Sequence, residues 1–164
     1  MRLLRSQKEK FVFSLSQVEQ RIFLEILRLY PLVPASHQTL SKTLKGRQGT
    51  EAQQMLDEAL AEQRAMHKKQ LAEWLQAKGR FRRTKAGCNL AIRHDDVEWL
   101  LQILNDIRIG SWLLLGSPDD RVEPEEIDPE FHRIWAAMEV SGMFQMALLQ
   151  AMELPPPSET QTSP

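Results

Sequence analysis

A single arginine inside a long apolar run is the strongest constraint on how this chain folds. The run extends from Asp95 to Gly116, and at helical spacing Val97, Leu101, Leu104, Arg108, Ser111 and Leu115 fall on one stripe. That stripe is apolar enough to sit at the centre of the molecule, which makes Arg108 an expected buried charge. Burying a guanidinium without compensation is strongly unfavourable, so the reading requires a carboxylate from another helix or an anionic ligand. Glu19 is the first candidate, because it projects toward the middle of an apolar helix face. Glu139, on a polar stripe near the chain's end, is the second. Asp106 is excluded, since residues two apart on a helix point in different directions.

A chain of 164 residues with 42% hydrophobic content supports one domain with a real core. Cys88 is the only cysteine and has no partner for an internal disulfide. There is no secretory leader pattern, and Leu100 to Leu115 is broken by Asn105, Asp106 and Arg108, so neither export nor a membrane span is expected. A cytoplasmic bacterial protein fits this profile. Charge is distributed unevenly: residues 1 to 93 carry 18 Lys and Arg against 8 Asp and Glu, whereas residues 94 to 164 carry 3 against 14. The two halves either neutralise each other by packing or form a bipolar surface.

Along the chain, Arg2 to Arg5 and Lys10 to Leu15 read as a small β-hairpin. Ser16-Gln17-Val18-Glu19 has the form of a capping box, which accounts for Glu19 without any tertiary partner. A first helix then spans about Gln17 to Tyr30 and stops at Pro31. Residues Pro31 to Thr50 form a connector with one short helical turn near Thr39 to Leu44. Glu51 to Lys78 lacks Gly and Pro and forms the longest helix, with His67 as a core or rim histidine on its apolar face. The central helix follows at Asp95 to Gly116, and a last helix runs from about Asp128 to Met152. The expected fold is mainly α: an N-terminal β-hairpin followed by a bundle of four main helices around a central apolar helix, in one domain over 1–153 with a disordered Pro-rich tail over 154–164.

Between the second and third helices lies a basic, glycine-punctuated loop. Lys78, Arg80, Arg82, Arg83 and Lys85 concentrate positive charge, and Phe81 is available to stack on a base, so the loop suits a phosphate backbone. The acidic residues from Asp119 to Glu130 lack the ligand spacing of a calcium loop. Met138, Met143, Met146 and Met152 on the last helix read first as core and second as an adaptable partner surface. No phosphate-binding glycine loop, nucleophile elbow, metal-ligand pair or Cys-His pair is present, so neither a catalytic centre, a metal nor a cofactor is expected.

The segments Leu15-Ser16-Gln17-Val18-Glu19, Trp99 to Arg108 and Glu139-Val140-Ser141-Gly142-Met143-Phe144-Gln145 resemble the bacterial domain-of-unknown-function family twenty-seventeen, common in actinobacteria. The order of motifs is followed over about Arg2 to Met152, although Val140 and Met143 stand where that family carries tryptophans. The resemblance implies no established activity. It implies a setting, because such genes often neighbour the adaptor of the Clp protease. It also marks Asn105, Asp106, Arg108, Glu139, Gly142 and Gln145, and more loosely Glu19, as a binding or ion-pair network.

The leading functional reading is therefore a non-enzymatic interaction or regulatory module with an unidentified protein partner, linked to Clp-type regulated proteolysis. The alternative is a nucleic-acid-binding regulator using Lys78 to Lys85. The apolar Trp112-Leu113-Leu114-Leu115 end of the central helix adds the expectation of a weak homodimer.

Overall fold

A computed structural model describes residues 1–33, 47–117 and 129–154. Strands β1 (Arg2–Ser6) and β2 (Lys10–Ser16) form the expected hairpin, and helix α1 (Gln17–Leu27) starts immediately after it. Ser16 caps α1 as expected: its hydroxyl accepts from the Glu19 backbone N–H at 3.2 Å, and the Glu19 carboxylate accepts from the Ser16 backbone N–H at 2.7 Å. Helix α2 (Arg47–Gln76) leads into strands β3 (Phe81–Thr84) and β4 (Gly87–Arg93), followed by α3 (His94–Leu114) and α4 (Pro129–Glu153). The short helical turn expected near Thr39 to Leu44, the acidic connector and the tail beyond Leu154 lie outside the described residues.

The expectation of a mainly α bundle is overturned. The fold is an α+β mix, because the four strands form one antiparallel sheet in the order β1-β2-β4-β3. The segment read as a basic loop is in fact a second hairpin. Its β4 strand pairs with β2 along its whole length, Lys10 to Arg93 through Ser16 to Gly87, so the two hairpins join edge to edge. Gly87 is needed at this junction, since a Cβ there would strike the Leu15 carbonyl oxygen of β2. Only glycine lets the two backbones approach so closely.

Alternation along the strands builds the floor of the core. Phe11, Phe13 and Leu15 of β2 oppose Ile92, Leu90 and Cys88 of β4, and all six are buried. These six belong to one cluster with Phe23, Ile26 and Leu27 of α1, with Leu100, Ile103, Leu104 and Ile107 of α3, and with Phe144 and Leu148 of α4. The helices thus cover one face of the sheet, the usual α+β solution for burying a one-sided sheet. From α2, Leu71 and Trp74 join the same core. No helix among the described residues is long and apolar enough to cross a membrane.

Helix α3 is not the centre of a helical bundle but one of the helices packed on the sheet, and its buried face is rotated from the expected stripe. Asp96, Val97, Leu100, Ile103, Leu104, Ile107, Gly110 and Ser111 are buried, and Arg108 lies just outside that arc. Gly110 lets the segment after α1 cross α3 closely, because an added Cβ would lie 2.6 Å from the Leu32 carbonyl carbon and 2.7 Å from the Val33 nitrogen.

Candidate functional site

Arg108 is exposed, and this corrects the expectation of a buried ion pair. Its Nη2 donates to Asn105 Oδ1 at 3.3 Å on the surface, and its stem runs beside α4, with Cδ 3.7 Å from where a Gly142 Cβ would stand. The two expected partners are elsewhere. Glu19 completes the cap of α1 and pairs with the Met1 amino group, while Glu139 is exposed on α4. The matched positions therefore do not converge on one network. Gln145 Nε2 donates to the Leu101 carbonyl at 3.3 Å and ties α4 to α3. Asp106, on the opposite flank of α3, accepts from the backbone N–H groups of Leu32 at 2.6 Å and Val33 at 3.2 Å.

The arginine that does enter the interior is Arg80, placed by the sequence reading in an exposed loop. Its side chain is only 10% exposed. It donates to the Trp74 and Ala91 carbonyls and to Asp96 Oδ2 at 3.2 Å, with its guanidinium carbon 4.3 Å above the Trp74 ring. Asp96, 5% exposed in its side chain, also accepts from Trp74 Nε1 at 3.0 Å and from Arg93 at 2.8 Å. Burial raises the Asp96 pKa, but the hydrogen bonds from Arg93 and Trp74 and the charges of Arg93 and Arg80 outweigh it and hold the carboxyl below its ordinary value. Phe81 packs edge-on against Trp74, with ring centroids 6.5 Å apart. Arg80 and Phe81 thus leave the proposed nucleic-acid surface, whereas Lys78, Arg82, Arg83 and Lys85 remain exposed.

Two surface features stand apart from this scaffold. The first is a cavity of about 280 Å³ between the end of α1, α2 and α3, lined by Tyr30, Gln63, Arg64, His67, Asn105 and Asp106 together with the apolar Val33, Leu60 and Ile109. Tyr30 and His67 are both buried, and the Tyr30 hydroxyl lies 3.3 Å from His67 Nδ1. Burial raises the Tyr30 pKa, the Asp106 charge adds to the rise, and Arg64 opposes it. Arg64 Nη2 is buried without a hydrogen-bond partner among the described residues. The periodicity of α2 marks His67 as inward-facing, but nothing local predicts that Tyr30 and Asp106 meet it there.

The second feature is α4 itself. Its inner face buries Ala137, Ser141, Phe144, Leu148 and Ala151, while Trp135, Met143, Met146, Leu149 and Met152 are between 42% and 62% exposed. The first reading of its methionines as core is corrected: Met138 is half-buried, and the other three face outward. Beside this face, α1 and α4 meet through Phe23 and Phe144, with centroids 4.8 Å apart. Next to that contact is a groove of about 410 Å³ lined by Ile22, Ile26, Leu29, Ala136, Ala137 and Val140, with Glu25, Arg28 and Arg133 at its margin. At the end of α3, Trp112, Leu113 and Leu115 are half-buried and Leu114 is 52% exposed.

Among the described residues no group of three or more His, Cys, Asp or Glu side chains is arranged to hold a metal ion. No family model matches the chain, and no curated protein or solved structure is significantly similar to it.

Proposed function

We propose that this protein is a non-enzymatic interaction module that receives an amphipathic helix of a partner protein along α4 and the adjoining α1–α4 groove. The carrying observation is the second apolar face of α4: five large apolar side chains outward, on a helix whose opposite face already fills the core. Large apolar side chains left exposed in this number on one helix suit an interaction site. Methionine at three of the outward or flanking positions gives a surface that repacks around different side chains. In the groove, the small side chains of Ala136 and Ala137 leave room for the apolar side chains of a third helix against Ile22, Ile26 and Leu29. Glu25 on one margin and Arg133 on the other provide both signs of charge for orienting it.

The link to regulated proteolysis rests on the family resemblance alone. The nucleic-acid alternative retains Lys78, Arg82, Arg83 and Lys85, but its stacking residue Phe81 and its Arg80 are engaged by Trp74 and Asp96. The α4 face has the stronger claim.

The test is capture from the source cells with the wild-type chain and with a Trp135→Glu, Met146→Glu variant, after thermal unfolding shows that both are folded. A protein enriched by the wild type and lost with the variant, and bound again as an isolated amphipathic peptide, supports the reading. Equal enrichment by both chains overturns it. Concentration-dependent dimerisation abolished by the same variant would assign the face to a second copy of the chain instead.

A further inference from the structure

We infer that the outer face of the β-sheet binds the phosphate backbone of a DNA duplex. This face is distinct from α4 and shares only Arg82 with the basic stretch weighed above. Residues opposite one another in an antiparallel ladder lie on the same side of a sheet, and successive residues of a strand lie on opposite sides. Phe11, Phe13 and Leu15 of β2, with their partners in β4, take the side that the helices cover. The residues between them take the other. Across the ladder, one row of that outer face reads Arg2, Ser14, Asn89, Arg82; a second holds Arg5, Val12 and Ala91, and a third sets Lys10 opposite Arg93. All five of these basic residues are exposed. Val12, between Arg5 and Ala91, is buried, as a valine is when long basic stems lie over it.

No acid occupies any of these rows. Among the described residues Arg93 is paired with Asp96, whereas Arg2, Arg5, Lys10 and Arg82 have no ion pair. Glu9, just before β2, and Asp95, just after β4, belong to the Lys10–Arg93 end, and Glu19 is already engaged by the Met1 amino group. Like charges massed on one face repel one another, and an extended polyanion relieves that repulsion. Guanidinium forks match phosphate oxygens. Two features favour a duplex. Arg2 and Arg82 stand on the two edge strands, about 14 Å apart at three strand spacings, close to the ~12 Å width of the major groove, so they can engage phosphates on both of its sides. The face also carries no aromatic side chain, because Phe11, Phe13 and Phe81 belong to the core side, so it lacks the stacking platform that a single strand uses. Contacts confined to phosphates make binding indifferent to sequence.

Fluorescence anisotropy with a labelled duplex of about 20 base pairs tests the face. Affinity should fall about a hundredfold between about 50 and 200 mM salt, a log–log slope of about −3 to −4, as four phosphate contacts require. Two duplexes of unrelated sequence should bind alike. Arg2→Gln with Arg82→Gln should lower affinity about tenfold or more at low salt and flatten the slope by about two. Both residues are exposed on edge strands, so this variant should keep the wild-type melting temperature; if it does not, Lys10→Gln alone should flatten the slope by about one. Arg21→Gln with Arg28→Gln removes the same charge from the exposed side of α1, across the sheet, and should leave affinity within about twofold. No binding at low salt, equal losses from the two double variants, or tighter binding to a single strand than to the duplex would each overturn the assignment. Binding to phosphatidylserine vesicles in preference to the duplex would give the face to a membrane and overturn it as well.

Discussion

Arg80 stacks its guanidinium on the indole of Trp74, 4.3 Å from the ring centroid, and so plugs the end of the core where α2 hands over to β3. The stack is completed by Asp96 from the start of α3, which accepts from both residues. The end of α2, the residue before β3 and the first turn of α3 are thereby fastened at one point.

Removing the acid at this point should be expensive. Asp96→Ala strands the 10%-exposed Arg80 and the Trp74 N–H, and should lower unfolding free energy by about 3–5 kcal/mol. Arg93→Ala removes a side chain that is 63% exposed and should cost no more than about 1 kcal/mol. Urea denaturation of the two variants separates the cases. Equal losses would mean that Arg80 is not the partner that matters.

Acid should act through the same carboxyl. The folded Asp96 pKa lies below the ordinary carboxylate value of about 3.9. Its stabilising contribution is therefore complete above that value and lost as pH falls below it, through the lower folded pKa. Melting temperature should fall more steeply below about pH 4 in the wild type than in Asp96→Asn. Parallel acid limbs in the two proteins would contradict this assignment.

Gly110→Ala should destabilise by about 1–3 kcal/mol, the usual cost of overpacking. The atoms its Cβ would meet are mainly backbone of Leu32 and Val33, which Asp106 holds in place and which cannot swing aside as a side chain tip would. Thermal unfolding reads the loss. A variant as stable as the wild type would show that the crossing segment is freely displaced.

Arg108→Ala should be nearly silent, within about 0.5 kcal/mol, as surface substitutions generally are. The side chain is exposed and its hydrogen bond to Asn105 is local. A loss of several kcal/mol in denaturant titration would restore the buried latch that helical periodicity suggested.

Local signals carried part of this structure. The first hairpin, the Ser16–Glu19 capping box and the existence of all four main helices are short-range matters of alternation, capping and propensity, and they were legible in the residues themselves. The second hairpin was equally local in its alternation of Cys88, Leu90 and Ile92, but its flanking charges resembled a solvated loop. What turned those residues into a strand is the pairing of β4 with β2, a contact made across more than seventy residues. The same limit governs the arginines. Helical spacing places Arg108 near an apolar stripe, yet a shift of the buried arc by a single position decides whether a side chain at its edge faces core or water. Only the packing of α4 and of the Leu32–Val33 crossing sets that rotation. Conversely, nothing within the basic stretch distinguishes Arg80 from Arg82, because the difference lies in Trp74 and Asp96, which tertiary folding brings to one of them and not to the other. Tyr30, Arg64, His67 and Asp106 meet for the same reason. They come from three helical elements and their ends, so the cavity they line exists only in the assembled fold.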